Sequence, residues 1–194
     1  MSGNSNLPGW RFFLPLIFQA GLILAVPGQA FYTSITGRIV ILQTIPVDPY
    51  DLLRGYSQTL RYDISQVNSL KTIPGWDNLN LVSGEKFYVI LEAPKSSVSE
   101  GKLPPAWLPV EVTRELSSDL PDHRIALQGE YNSHWIDYGL ETYYMPEDKR
   151  KEINAHIREI QREEERQFVV EVKVDSKGNA VPVSLWVGER NYRF

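Results

Sequence analysis

The sequence predicts a mainly β fold with one surface α-helix, an α+β chain in which a single N-terminal transmembrane helix precedes a small antiparallel sandwich or open barrel. Three observations carry that expectation: an uncharged apolar run near the amino terminus, a series of short β-rich segments punctuated by Pro and Gly, and one charged segment with helical spacing. At 194 residues and 42% hydrophobic content, the chain has room for one domain of ordinary size with an appendage. The expected layout is a short tail over 1–11, a transmembrane helix over 12–32 and an extracytoplasmic β-rich domain over 36–194.

Arg11 is the one charged side chain among residues 1–35, and Phe12 to Phe31 form a run of 20 residues without charge. At roughly 1.5 Å per residue, a helix of that length spans a ~30 Å hydrocarbon core. Trp10 and Arg11 precede the run and Tyr32 follows it, which is the flanking chemistry of an interfacial anchor. Pro15 falls in the first turn, whereas Pro27 and Gly28 weaken the last, so the helix is expected over Phe12 to Val26. The ending Pro27-Gly28-Gln29-Ala30 also fits a secretory signal cleaved after Ala30, and both readings agree on export. Sparse positive charge ahead of the run and the interfacial pair Phe31-Tyr32 favour a retained anchor. Arg11 orients the amino terminus inward, with Arg38 opposing it on the far side.

Beyond the anchor the periodicity becomes strand-like. Gly37 to Val47 is rich in β-branched residues, and Gln58 to Ile64 sets Leu60, Tyr62 and Ile64 on one face. Further strands are expected at Lys86 to Ala93, Pro109 to Glu115, Arg124 to Tyr131, Phe168 to Val174 and Val181 to Val187. The last two are joined by Asp175-Ser176-Lys177-Gly178-Asn179, a polar, Gly-bearing hairpin connection. Segments 70–85 and 94–106, rich in Pro, Gly, Ser and Asn, read as exposed loops where a partner would touch.

One segment breaks the rhythm. Residues 146–166 open with Pro146 and two acids, then place Ile153, Ile157 and Ile160 at i, i+4 and i+7. Charged residues cover the other faces, with Glu147 and Lys151 ordered for an i,i+4 pair. Such a helix lies on the sheet by one narrow stripe, and its dense mixed charge can also serve as a docking face.

The search for chemistry returns mostly exclusions. With no Cys there is no disulfide, thiolate metal site or cysteine nucleophile, and a net charge of −4 lacks the basic footprint of nucleic-acid binding. No phosphate loop, G-x-S-x-G elbow or zincin motif occurs, and His123, His134 and His156 lack metal-ligand spacing. No cofactor and no metal site is expected. The carboxylate pairs Asp48/Asp51 and Asp119/Asp122 flank prolines and read as turn chemistry. Residues 134–144 concentrate Trp135, Tyr138, Tyr143 and Tyr144, a cluster suited either to walling a core or to binding, with Trp135, Tyr143 and Tyr144 the candidate contacts.

The run Pro46-Val47-Asp48-Pro49-Tyr50-Asp51-Leu52-Leu53-Arg54-Gly55-Tyr56-Ser57-Gln58-Thr59-Leu60-Arg61-Tyr62 resembles the signature of the GDYXXLXY family. Gly55, Leu60 and Tyr62 match the motif; Tyr56 stands where it has Asp, and Ser57 where it has Tyr. Tyr138-Gly139-Leu140-Glu141, followed by Tyr143-Tyr144 and Pro146, is similar to that family's second segment. The resemblance covers residues from about 10 to 187. It implies a bacterial protein with an amino-terminal membrane helix and an extracytoplasmic domain, and the P-G-Q-A segment with the Tyr56 change is similar to the cyanobacterial branch, whose domain would face the periplasm or thylakoid lumen. It carries over no catalytic residue. Within the signature, Gly55 can supply a positive φ, Asp48 and Asp51 can bond the turn, and Arg54 can pair with Asp51 or with a partner.

The functional expectation is a non-enzymatic, single-pass membrane module that associates with another membrane protein or complex, held in lipid by its N-terminal helix. Two alternatives stand beside it. One is a ligand-binding module using the aromatic cluster; the other is a Ser/Lys hydrolase resembling membrane-anchored signal peptidases, with Ser34 near the membrane and Lys71 or Lys86 as base.

Overall fold

Alternation of apolar and polar side chains with period two puts one face of each strand into a common interior. The computed structural model describes residues 10–44, 57–59, 61–95, 102–117, 119–144, 152–153, 155–156 and 168–193. Along the chain run α1 (Trp10–Thr36), β1 (Arg38–Gln43), β2 (Ser57–Thr59), α2 (Val67–Leu70), β3 (Lys86–Glu92), β4 (Leu108–Thr113), β5 (Arg124–Asn132), β6 (Trp135–Asp137), β7 (Thr142–Tyr144), β8 (Phe168–Val174), β9 (Ala180–Val187) and β10 (Arg190–Arg193). They assemble into two four-stranded antiparallel sheets, β1-β8-β9-β10 and β4-β3-β5-β6, and a two-stranded pair, β2-β7.

Val40 and Leu42 of β1, Val170 and Val172 of β8, and Leu185 and Val187 of β9 share one core with Phe87, Val89 and Leu91 of β3 and Leu127 of β5. Two backbone bonds stitch the sheets at their corners. Trp107 donates its N–H to the Ile41 carbonyl at 2.8 Å, and Gln128 donates to Gly178, in the β8–β9 hairpin, at 2.9 Å. Among the described residues the strands form separate sheets and no closed barrel.

Strand β8 occupies Phe168–Val174 as the sequence predicts, and residues 175–179 make the expected hairpin. The strand expected over Gln58 to Ile64 is shorter: β2 stops at Thr59 because its partner β7 has only three residues. The chain then bridges at Tyr62 and enters a 3-10 turn at Asp63–Ser65, with Tyr62 and Ile64 still buried. Strands β6, β7 and β10 were not foreseen, being too short to show a period.

Segment 70–85 is not the exposed loop that its composition suggests. Leu70 and Leu79 are buried in the core, with Ile73, Trp76 and Leu81 packed against it. Trp76 meets Phe87 and Tyr131 edge to face, at centroid distances of 6.1 and 6.2 Å. Apolar burial outweighs the Pro and Gly content here, so the segment forms a lid on the second sheet.

Helix α1 also departs from expectation, continuing past Val26 to Thr36. Pro27 lacks an N–H and crowds the carbonyl four residues back, so the helix bends there instead of ending. Among the described residues no single helix is long and apolar enough to cross a membrane; Trp10–Ala25 and Pro27–Thr36, bent by 43°, meet the length and composition requirement together. Pro15 lies inside this helix and not in its first turn, since the helix is already formed at Trp10.

Residues 1–9 of the expected tail, the turn residues Asp48, Pro49, Asp51, Leu53, Arg54 and Gly55, and Leu60 lie outside the described residues. So does most of the charged segment 146–166; of its stripe, Ile153 is fully buried in the common core, and His156 Nδ1 lies 2.8 Å from the Tyr192 hydroxyl.

Gly75 sits at φ +94°, and a Cβ there would come within 2.1 Å of the Val112 carbonyl oxygen. The adjacent Pro74 carbonyl accepts the Val112 N–H at 2.9 Å, so backbone on both sides resists movement. Gly75→Ala is expected to cost at least about 2 kcal/mol, from the left-handed backbone and the clash. Chemical unfolding of the full chain in detergent, followed by tryptophan fluorescence, checks it.

Candidate functional site

The two segments that carry the family resemblance lie side by side. Strand β2 pairs antiparallel with β7, setting Ser57, Gln58 and Thr59 opposite Tyr144, Tyr143 and Thr142. Further along, Gln66 bridges Trp135. Between these points two buried tyrosines reach across in opposite directions. The Tyr62 hydroxyl donates to the Leu140 carbonyl at 2.9 Å, and the Tyr138 hydroxyl donates to the Ile64 carbonyl at 2.8 Å. Each phenol satisfies a backbone acceptor of the other segment while its ring fills the core.

The Tyr138-Gly139-Leu140-Glu141 segment supplies a part to each need. Gly139 adopts φ +70° at the turn, and Leu140 is fully buried. Glu141 Oε1 accepts the Tyr138 N–H at 2.7 Å, and Asp137 Oδ1 accepts the Gly139 N–H at 3.0 Å. Gly129 of β5 leaves the space that the Tyr138 ring occupies; a Cβ there would lie 2.9 Å from it.

Burial, together with the hydrogen bond that the protonated carboxyl donates to neighbouring Asp137, pushes Glu141 up to about 7, although the Tyr138 N–H works the other way. Burial and then the Glu141 charge push the Tyr138 phenol well above its ordinary value, so it remains a donor.

A second polar centre joins α1 to the β domain. Thr33, fully buried, donates its hydroxyl to Asp175 Oδ2 at 2.8 Å. Asp175 also accepts from the Lys177 N–H at 2.9 Å and from the Asn179 N–H and side-chain amide at 3.0 and 3.1 Å. Burial disfavours its charge, but these donors outweigh that cost and hold the carboxyl below its usual range. Lys173 Nζ caps the helix end at the Ser34 carbonyl at 2.6 Å, and Arg38 donates to the Asp122 and Arg124 carbonyls.

The other predicted residues are scattered. Trp10, Arg11 and Tyr32 are exposed along α1. Trp135 stands 57% exposed on the edge strand β6, apart from the buried Ile136 and Tyr138 on either side of Asp137. Tyr143 and Tyr144 are placed by their backbone in β7. The Ser34 hydroxyl donates to the Phe31 carbonyl at 2.7 Å; Lys86 bonds Gln128 at 3.3 Å, and Lys71 is exposed. Sequence reasoning missed Thr33, Lys173 and Asp175 as a unit. Only Asp175 carried a local signal, as the first residue of a Gly-bearing turn.

Fold and site together define a class: a two-sheet antiparallel β domain mounted on an apolar N-terminal helix and closed by a tyrosine clasp. The chain belongs to the GDYXXLXY protein family, whose family model matches residues 19–185. No curated protein and no solved structure matches it.

Tyr62→Phe and Tyr138→Phe each leave a buried carbonyl unpaired, so each is expected to cost about 1–3 kcal/mol. Because the two bonds tie the same segments, a double-mutant cycle by chemical unfolding should give a coupling of at least about 0.5 kcal/mol; strict additivity would refute the clasp as a unit. Glu141 keeps its proton when folded up to about pH 7, whereas unfolded it ionises near 4.5. Its contribution to stability is therefore full below pH 4.5 and declines as pH rises to about 7. In Glu141→Gln that decline should vanish from the difference between the two melting-temperature profiles.

Proposed function

We propose that this protein is a single-pass, membrane-anchored, non-enzymatic module whose β domain associates with another membrane protein or complex. The observation that carries this reading is the exposure of α1. Phe12, Phe13, Leu14, Leu16, Ile17, Phe18, Leu22, Ile23 and Leu24 are all more than half exposed, on every side of the helix. An apolar surface covered by none of the described residues is unfavourable in water and at home in hydrocarbon. Pro27–Thr36 then brings the chain to the joint at Asp175, which sets the domain directly on the anchor.

In this reading Arg11 keeps the amino terminus cytoplasmic, and the domain faces the periplasm or a thylakoid lumen. The bend at Pro27 lies toward the extracytoplasmic end of the combined span, and Tyr32 comes to interfacial level beyond it. The partner-facing element is β6, an edge strand that presents Trp135, a residue type enriched at the energetic centres of interfaces. The same exposure supports a second reading, in which Trp135 stacks on a small glycan or peptide; binding to a glycan or peptide panel that is lost in Trp135→Ala would favour it.

Membranes from cells expressing the full chain with a carboxyl-terminal tag are the first test. The protein should stay in the pellet under alkaline carbonate, and the tag should be digested by protease only from the extracytoplasmic side. Release by carbonate removes the anchor reading, and digestion from the cytoplasmic side removes the orientation. From detergent, one complex should co-purify in near-stoichiometric amount, and Trp135→Ala should lower its recovery at least about tenfold. Recovery of the chain alone removes the association reading.

A further inference from the structure

A cleft of about 760 Å³ opens where α1 leans over the outer face of the second sheet. One wall is the helix from Ala25 to Tyr32, and the other holds Lys86 and Tyr88 of β3, Gln128 of β5 and the hairpin residue Lys177. The helical wall rises about 10 Å, enough to pass through the roughly 5–7 Å headgroup region of one leaflet.

The charges in this cleft are unequally committed. Asp175 lines it too, but its oxygens already accept from Thr33, Lys177 N–H and Asn179. Lys177 has no side-chain partner among the described residues, and Lys86 has only the neutral Gln128 amide oxygen at 3.3 Å. Nearby, Arg38 and Lys173 are occupied by backbone carbonyls. Two ammonium groups thus line the cleft with no ion-pair partner among the described residues. The Tyr88 oxygen accepts from Gln128 at 3.1 Å, and neither its own proton nor that of Tyr32 has an acceptor among the described residues.

We propose that this cleft binds the anionic headgroup of a membrane phospholipid, with Lys86 and Lys177 neutralising the phosphate and Tyr32 and Tyr88 donating hydrogen bonds to its oxygens. The proposal rests on the anchor reading of α1. A lipid, and not free phosphate, is the occupant because the stripe of Tyr32 and Ala25 continues along the helix at i−7 and i−11 to the exposed Phe18 and Leu14, a path for an acyl chain beside a cationic head. Lysine stems lying along such a surface reach the phosphate level while their methylenes stay in contact with apolar groups. The bound lipid would fix the angle between helix and domain by filling the space between them.

The test uses the full chain in nanodiscs of phosphatidylcholine mixed with phosphatidylglycerol, with retained lipid counted by native mass spectrometry after release. The wild type should retain phosphatidylglycerol preferentially. Lys86→Gln and Lys177→Gln should each lower that preference about fivefold, the contribution of one ammonium at an anionic surface, and the double variant should approach parity. Lys95→Gln, exposed and outside the cleft, should leave it unchanged. Equal retention of both lipids by the wild type, or an undiminished preference in the double variant, overturns the proposal. Displacement of the lipid by millimolar glycerol 3-phosphate or inorganic phosphate would assign the cleft to a free phosphate and overturn it as well. Co-flotation with vesicles separates the two levels. A chain that floats with phosphatidylcholine vesicles but shows no lipid preference loses only the cleft assignment, whereas one that floats with neither composition loses the anchor reading and this proposal together.

Discussion

The reciprocal bonding of Tyr62 and Tyr138 is the constraint on which the rest of the domain depends. Each ring is buried, so each hydroxyl must find an acceptor inside the protein, and each finds a backbone carbonyl of the segment that holds the other. The segments are more than 70 residues apart in the chain. Joining them carries the chain from the first sheet, through the bridge Thr44 to Tyr62, across to β6 of the second sheet. Two sheets that share a core but are stitched by few backbone bonds would otherwise be free to slide. In this chain the two motif segments are thus the halves of one fastening, in which the tyrosine is paired with a turn-forming glycine and a carboxylate that accepts the Tyr138 N–H.

A different solution holds the helix. A helix end leaves carbonyls unpaired, and a hairpin turn leaves amides unpaired. Here Lys173 takes a carbonyl of the helix end, Asp175 takes the amides of the hairpin, and Thr33 links the two through one buried hydroxyl. Gly37 donates its N–H to the Thr33 carbonyl at 2.8 Å, so the helix passes into β1 without a linker. Motion of α1 is therefore transmitted to the first sheet through β1 and β8. This short, polar, fully bonded joint also makes the space beside it a defined cleft and not a gap between wandering parts.

The proposed function draws on what those fastenings leave outside. The clasp consumes Tyr138 and holds Glu141, while Trp135, two positions before Asp137 on an edge strand, is left in solvent. The joint consumes Asp175, Lys173 and Arg38 and leaves Lys86 and Lys177 without an ion-pair partner among the described residues. Residues spent on internal bonds hold this chain's architecture; those left over are the ones that the proposed contacts with lipid and with another protein use.

Sequence alone determined the elements whose cause is local. Short runs rich in β-branched and apolar residues located Phe168–Val174 to the residue and β3 to within one, the Asp-to-Asn turn with Gly178 announced the hairpin, and the uncharged run from Phe12 marked the exposed apolar helix. The tyrosine and Y-G-L-E segments were recognised as belonging together, but not how they touch. Strands of three or four residues, such as β6, β7 and β10, show no period, and the lid over 70–85 looked like a loop because its Pro and Gly hid the spacing of Leu70, Trp76 and Leu79. Only the tertiary structure decided that Tyr62 answers Tyr138, that Thr33 seats on Asp175, and that Glu141 keeps a proton to about pH 7. A hydrogen bond to a distant carbonyl leaves no mark on its neighbours in sequence, and a carboxyl's affinity for its proton is set by the burial and charges that surround it once the chain has folded.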